Sequence, residues 1–363
     1  MSAKRISLIQ TGGTIAMKPG GRGVVLDPDT WEDTLHKQMP ELKSIADITP
    51  HRLFLEDSSD LTPAHWTRVA QFIAEEQERY DGFVILHGTD TMAYTASALS
   101  FALIGLNRPV ILTGSQVPLH ALRSDARRNV VNAVELATRD FHEVAICFHD
   151  TLYRGNRATK VSIGDFGAFA SPNHPPLARI GLEIQFSPGL QAAGSLEPPA
   201  RLESTRSGRP VGGSLNVFPV LSHDSGLRAL RFDERVVVIK LVPGLDPDLL
   251  RNVADPDRVR VILLEAFGSG NFPSSGTHSI LPVLRTWRSR GIDVVIGSQA
   301  AHDAVDLSTY RSGRAALDLG VLSAGDMTLE AALTKSMFLL GNLPDSSEFA
   351  SMFAHNLAGE RSR

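Results

Sequence analysis

Hydroxyl side chains collect at four places in this chain where an apolar run breaks off. Ile6 to Gln10 runs into Thr11-Gly12-Gly13-Thr14, Ile48 to Glu56 into Asp57-Ser58-Ser59-Asp60, Phe83 to Leu86 into His87-Gly88-Thr89-Asp90, and Pro109 to Leu112 into Thr113-Gly114-Ser115-Gln116. Each run reads as a strand, and Phe83 to Leu86 as a buried one that stops abruptly. A single serine, threonine or aspartate at such a point is accounted for as a helix N-cap, and Thr89 or Asp90 taken alone fits that description. Capping needs one hydroxyl per helix, however, whereas a pocket for a small polar substrate needs several polar groups converging from adjacent strand ends. The chemistry open to such a set is nucleophilic. A threonine hydroxyl is a weak nucleophile at its free pKa and needs a neighbouring base, or a lysine held partly unprotonated by burial and nearby groups. Thr89, Asp90 and Lys160 are the candidates for that relay.

The elements that must position these groups follow from periodicity. Strands alternate with helical patterns: about Thr30 to Gln38, Thr62 to about Tyr80 with Thr62 as N-cap and Pro63 in the first turn, Thr91 to Leu103, and Ser124 to Arg139. Glu143 to Phe148 reads as a further strand. Alternation of this kind predicts an open, mostly parallel sheet, whose strand carboxyl ends are where ligands bind. Lys18-Pro19-Gly20-Gly21-Arg22-Gly23 has no periodicity and reads equally as a flexible loop or as a lid that excludes water. Composition alone makes Tyr153-Arg154-Gly155-Asn156-Arg157-Ala158-Thr159-Lys160 a solvated turn.

From Gln185 to Gly213 periodicity is lost, and Pro188, Gly189, Gly194, Pro198, Pro199, Gly208 and Pro210 gather. Strand patterns at Val236–Leu241, Val259–Leu264 and Val294–Gly297 then alternate with helical ones at Pro247–Val253, Thr277–Arg290 and Thr328–Gly341. The expected fold class is therefore α/β. A larger N-terminal α/β domain with a mostly parallel sheet spans 1–186, a linker 187–213, and a smaller C-terminal parallel α/β domain 214–363.

The 363 residues carry 36 Lys and Arg against 40 Asp and Glu, a formal charge of −4 with no basic block. That balance argues against nucleic acid or an anionic membrane surface as partner. The single cysteine, Cys147, lies in an apolar run and reads as a buried structural thiol in a reducing compartment. The apolar run after Lys4-Arg5 is too short for a signal-peptide core, and no stretch approaches the roughly 20 apolar residues of a membrane span, so a cytoplasmic location is expected. There is no G-x-x-x-x-G-K-[ST] loop, Gly268-Ser269-Gly270-Asn271 lacks the third glycine of a dinucleotide fingerprint, and neither H-E-x-x-H nor G-x-S-x-G occurs. No cofactor and no metal are expected.

Thr11-Gly12-Gly13-Thr14-Ile15 and His87-Gly88-Thr89-Asp90-Thr91-Met92 together resemble the two signatures of the bacterial-type L-asparaginases, most closely the cytoplasmic type I branch. Similarity continues through Asp57–Asp60, Thr113–Gln116, Ser124-Asp125, Tyr153–Arg157 and Phe169-Ala170-Ser171-Pro172-Asn173. The resemblance implies hydrolysis of L-asparagine to L-aspartate and ammonia, with weaker glutaminase activity. Thr14 would be the nucleophile and Thr89, Asp90 and Lys160 the second catalytic group. Ser58 and Ser59 would hold the α-carboxylate and amino end of the substrate, Asp90 would also contact its ammonium, and Ser115 and its neighbours would line the amide side. Asn271 would reach a neighbouring subunit's site in a homodimer or homotetramer. Two departures accompany the resemblance. The family's usual lid tyrosine is replaced in Gly23-Val24-Val25-Leu26-Asp27-Pro28, and the segment matching the type I allosteric cysteine reads Gly297-Ser298-Gln299-Ala300, although Thr159 is retained. Two alternatives stay open: a catalytically weak asparagine sensor, and the asparaginase-like subunit of a tRNA-dependent amidotransferase.

Overall fold

The computed structural model describes residues 3–20, 23–26, 37–188, 230–251, 253 and 255–362, with the backbone alone at 16–20 and 23–26. It divides into two compact units, one up to Leu230 and one from Arg231. The expected linker, 187–213, lies outside the described residues from 189 onward.

The first unit is built on an eight-stranded sheet. In chain order its strands are β1 (Arg5–Gly12), β4 (Asp47–Glu56), β5 (Gly82–Leu86), β6 (Val110–Thr113), β7 (Val144–Phe148), β8 (Thr151–Arg154), β11 (Ala178–Ile180) and β12 (Ile184–Phe186). The hairpin strands β2 (Met17–Gly20) and β3 (Gly23–Leu26) and the short pair β9 (Thr159–Lys160) and β10 (Phe169–Ala170) stand apart from it. The sheet order is β12-β11-β8-β7-β6-β5-β1-β4. The five strands from β4 to β7 are parallel and the remaining three antiparallel. The mostly parallel sheet expected from the alternation is what forms.

Helices α1 (Leu42–Ile45), α2 (Pro63–Glu76), α3 (Met92–Ala102) and α4 (Ala126–Ala137) cover it. Alternating residues of β1 explain how both faces are buried. Ile6 and Leu8 join Val84, Leu86, Ile111 and Cys147 against Val130, Ala133 and Val134 of α4. On the other face α3 packs on β6 and β7 and against α2. Cys147 is buried in β7, and burial pushes its thiol up out of reach of ionisation, as expected of a structural cysteine.

Two local expectations are adjusted, and a third lies largely outside the described residues. α2 stops at Glu76 rather than near Tyr80, because Tyr80 leaves the helix to bond its hydroxyl to His51 Nε2 at 2.9 Å and to pack on Phe83. In the glycine-rich segment after β1 the described residues form two short antiparallel strands, with Pro19 opposite Val24, and Gly21 and Arg22 lie outside the described residues. The helix expected over 30–38 falls outside the described residues except at 37 and 38.

The second unit holds a parallel sheet of β13 (Val236–Lys240), β14 (Val261–Ala266), β15 (Asp293–Ser298) and β16 (Leu322–Ser323) in that order. It carries α5 (Pro247–Arg251), α6 (Leu281–Ser289), α7 (Arg311–Leu317), α8 (Leu329–Asn342) and α9 (Phe349–Ala354). Its core contains Ile262, Leu264, Val294 and Ile296 from the sheet and Val283, Leu284 and the fully buried Trp287 from α6. β16, α7 and α9 escape detection in the sequence because two to seven residues carry too little of any period.

Candidate active site

Register brings the hydroxyl-bearing strand ends together. Gln10 pairs with Leu86 and Leu86 with Thr113, so Thr11–Thr14, His87–Asp90 and Thr113–Gln116 leave the sheet side by side. On the other side of β1 the register shifts between Gln10 and Gly12, which pairs with Glu56 and puts Asp57–Asp60 beside the same edge. Parallel pairing makes all four of these carboxyl ends.

The chains approach closely there. Gly13 has φ +88°, and a Cβ placed on it would stand 2.5 Å from the Gly88 nitrogen. A Cβ on Gly88 would in turn stand 2.5 Å from Ser58 Oγ. At Gly13 only glycine permits both the left-handed backbone and the contact. Thr14 and Thr89 each follow one of these touching glycines. Thr14 is half-buried and opens a 3₁₀ turn, Thr14–Ala16.

Thr89 is buried, and its Oγ1 accepts a hydrogen bond from Lys160 Nζ at 2.8 Å. Lys160 Nζ also donates to Asp90 Oδ1 at 2.6 Å. The lysine side chain is 15% exposed and the aspartate 67%, so this ion pair opens to solvent on its carboxylate side. Neither Thr89 nor Asp90 caps α3. Thr91 occupies the N-cap, and its hydroxyl donates to the Ser58 carbonyl at 2.7 Å, tying the end of β5 to the turn after β4.

Ser58 and Ser59 lie in the 3₁₀ turn Ser58–Asp60. Ser58 is buried, while Ser59 is exposed and donates from both its backbone N and its hydroxyl to Asp57 Oδ1, at 2.9 and 2.8 Å. The two Ser59 bonds, the backbone one first, hold the Asp57 carboxyl below its usual pKa range. Ser115 is buried, with no hydrogen-bond partner for its hydroxyl among the described residues. Asn271 belongs to the second unit. Its Oδ1 accepts from Ser312 Oγ at 2.6 Å and from the Phe272 backbone N at 3.0 Å, leaving the amide NH₂ as the group open to a ligand.

The stretch 153–160 is not the solvated turn that its composition suggests. Gly155, Asn156 and Arg157 are buried in a 3₁₀ turn, and Arg157 Nη2 donates to the Asn173 carbonyl at 2.7 Å. Arg154 forms a two-pronged pair with Glu143 at 2.6 and 2.7 Å, both side chains largely buried. Charge here secures the turn that delivers Lys160 to Thr89.

Three groups at this edge appear in the sequence motifs without a role of their own. Gln116 Oε1 accepts the Thr89 hydroxyl at 3.2 Å. Asp125 accepts from the Gln116 and Val117 backbone N atoms at 3.0–3.1 Å. His87 is fully buried between Thr95 Oγ1 (2.8 Å to Nε2) and the Gly88 carbonyl (2.7 Å to Nδ1). The signal for Gln116 and His87 was their place in the T-G-S-Q and H-G-T-D strand ends, and for Asp125 the Ser124-Asp125 pair that carries the resemblance. Among the described residues, no group of three His, Cys, Asp or Glu is placed to hold a metal ion, and no helix is long and apolar enough to cross a membrane.

Two family models match. The asparaginase N-terminal domain covers residues 5–191, and the glutaminase/asparaginase C-terminal domain covers 235–353. The chain therefore belongs to the asparaginase family. It is 39% identical over 365 residues to L-asparaginase 1 of Escherichia coli K12, covering 99% of this chain and 98% of that protein. The crystal structure of L-asparaginase I from Vibrio cholerae superposes with a TM-score of 0.81 at 36% identity, covering all of both chains. A glutamyl-tRNA(Gln) amidotransferase subunit from Pyrococcus horikoshii is more distant, at 32% identity over 98% of this chain and 76% of its own length.

Proposed function

We propose that this chain is an L-asparaginase of the type I branch, acting in the cytoplasm as a homodimer or homotetramer, with weaker glutaminase activity. The observation that carries the reading is Lys160 Nζ held 2.8 Å from Thr89 Oγ1 and 2.6 Å from Asp90 Oδ1, at the strand edge that also carries Thr14. A lysine bridging a buried threonine and a carboxylate is a proton-moving device.

Thr14 Oγ attacks the side-chain amide carbon and its proton passes into the Thr89–Lys160–Asp90 set. The tetrahedral intermediate collapses as the amide nitrogen takes a proton and leaves as ammonia, giving an aspartyl ester on Thr14. Water then adds to the ester carbonyl, its proton passes through the same set, and the Thr14 oxygen leaves reprotonated. The net change is asparagine plus water to aspartate plus ammonia. Ser58, Ser59 and Asp90 hold the α-carboxylate and ammonium end. Ser115, whose buried hydroxyl has no internal bond among the described residues, takes the amide oxygen side. Asn271, with its carbonyl oxygen engaged by Ser312, offers its NH₂ to the site of a neighbouring copy.

The test is steady-state ammonia release from asparagine and glutamine by wild type, Thr14→Ala and Thr89→Val. Saturable asparagine hydrolysis by wild type is expected, with Thr89→Val slower by about 10²-fold or more, the scale of lost general acid–base help, and Thr14→Ala, which has no nucleophile, slower still. Wild-type release no greater than that of Thr14→Ala, with calorimetric binding of asparagine intact, replaces this reading with the sensor.

A further inference from the structure

The amide of Gln116 is held at both ends. Its backbone N is fixed by the Asp125 carboxylate at 3.0 and 3.1 Å, and Asp125 also accepts from Asn129 Nδ2 at 3.0 Å on the first turns of α4. From that anchor the side chain spans two other segments. Nε2 donates to the carbonyls of Asp165 at 3.1 Å and Ile163 at 3.4 Å, in the loop that follows Lys160. Oε1 accepts from Thr89 Oγ1 at 3.2 Å.

These bonds leave no choice of orientation. A carbonyl can only accept, so the end of the amide facing Ile163 and Asp165 is the NH₂, and the end facing Thr89 is the oxygen. An amide oxygen can only accept, so the hydrogen between them belongs to Thr89. The Thr89 oxygen then receives Lys160 Nζ at 2.8 Å on a lone pair. We propose that Gln116 is a positioning residue for the amidohydrolase reaction: read by the loop carbonyls, its amide fixes the rotamer of Thr89 and directs the hydroxyl so that its oxygen stays against Lys160. The proposal rests on the role given above to Thr89.

The experiment is kcat and KM for asparagine, with melting temperature, in wild type, Gln116→Met and Gln116→Glu. Methionine keeps the volume and makes neither bond. Glutamate keeps an acceptor for Thr89 and loses the donor to the loop. Gln116→Met is expected to lower kcat about 10-fold, the scale of one oriented hydrogen bond, with KM within about twofold. Gln116→Glu is expected to stay within about threefold of wild-type kcat. Equal losses in both variants would make the loop tether the whole effect and overturn the proposal, as would a loss confined to KM or no loss in Gln116→Met. Should Gln116→Met fail to fold, a Gln116→Glu kcat reduced about 10-fold or more at unchanged melting temperature overturns it as well. Absence of ammonia release by wild type defeats the parent reading and this one with it, whereas wild-type turnover with an undiminished Gln116→Met defeats this one alone.

Discussion

Thr89 and His87 sit two residues apart and show how differently one strand end uses polar groups. Thr89 meets Lys160 and Gln116 at the edge of the site, while His87 is sealed, its two ring nitrogens spent on Thr95 and the Gly88 carbonyl. Burial, opposed by the bond to Gly88, lowers the His87 pKa from 6.5 to about 4. The folded protein therefore keeps this imidazole neutral where the unfolded chain takes up a proton. The stability it contributes is complete above pH 6.5 and is lost as pH falls from 6.5 toward 4, by about 3 kcal/mol at the lower end. Urea unfolding should show a stability loss between pH 7 and pH 4 that is larger in wild type than in His87→Gln by about 3 kcal/mol. Equal pH dependence in the two proteins would remove His87 from the account.

At the scale of elements, the site is a property of how β1 and β5 end. Parallel registry brings the ends level, and glycine lets them touch. Gly13→Ala would force a Cβ into the Gly88 backbone at a φ of +88°. The strand ends must then separate, and displacement of about 1 Å at a reacting centre costs on the order of 10²-fold in rate. We expect ammonia release to fall by that amount and the melting temperature to drop. Gly164→Ala, where an added Cβ meets nothing within 4 Å, is the matched control and leaves both unchanged. Undiminished kinetics in Gly13→Ala would show that the contact is not needed.

Across the whole molecule, two sheets each carry their own core, and the second unit is closed by an ion pair at its carboxyl end. Lys335 of α8 and Glu360 are both fully buried and bonded to each other. The lysine also donates to the Phe353 carbonyl at 2.8 Å, and the glutamate accepts from the backbone N atoms of Leu357 and Ala358. Burial lowers the Lys335 pKa, with the Glu360 charge opposing it. Removing one member strands the other charge without solvent, which costs about 3–5 kcal/mol. Lys335→Met should lose that much in urea unfolding, and the double variant Lys335→Met, Glu360→Leu should lose less. A double variant as unstable as the single one would show that the pair's backbone bonds matter more than its charges.

The sequence by itself determined the elements and the chemistry on offer. Apolar runs ending in glycine and hydroxyl residues marked β1, β5 and β6, because burial on both faces leaves a signal in every residue, while β4, mostly part-exposed, was marked by its polar end Asp57–Asp60, and the period of the helices marked the layers. The T-G-G-T and H-G-T-D ends stood out where those runs broke off, and the family was legible from their resemblance to the two asparaginase signatures. Tertiary structure alone decided which polar groups meet. Lys160 lies 71 residues from Thr89 and Gln116 lies 27 from it, and nothing local distinguishes a lysine that will fold back onto a strand end from one that faces water. The same holds for Arg157, charged and yet buried, whose stretch reads as a solvated turn until Asn173 and the Glu143–Arg154 pair enclose it. Periodicity records which face of an element is buried. Pairing between distant polar side chains depends on strand registry and loop path, and those are fixed only when the sheet assembles.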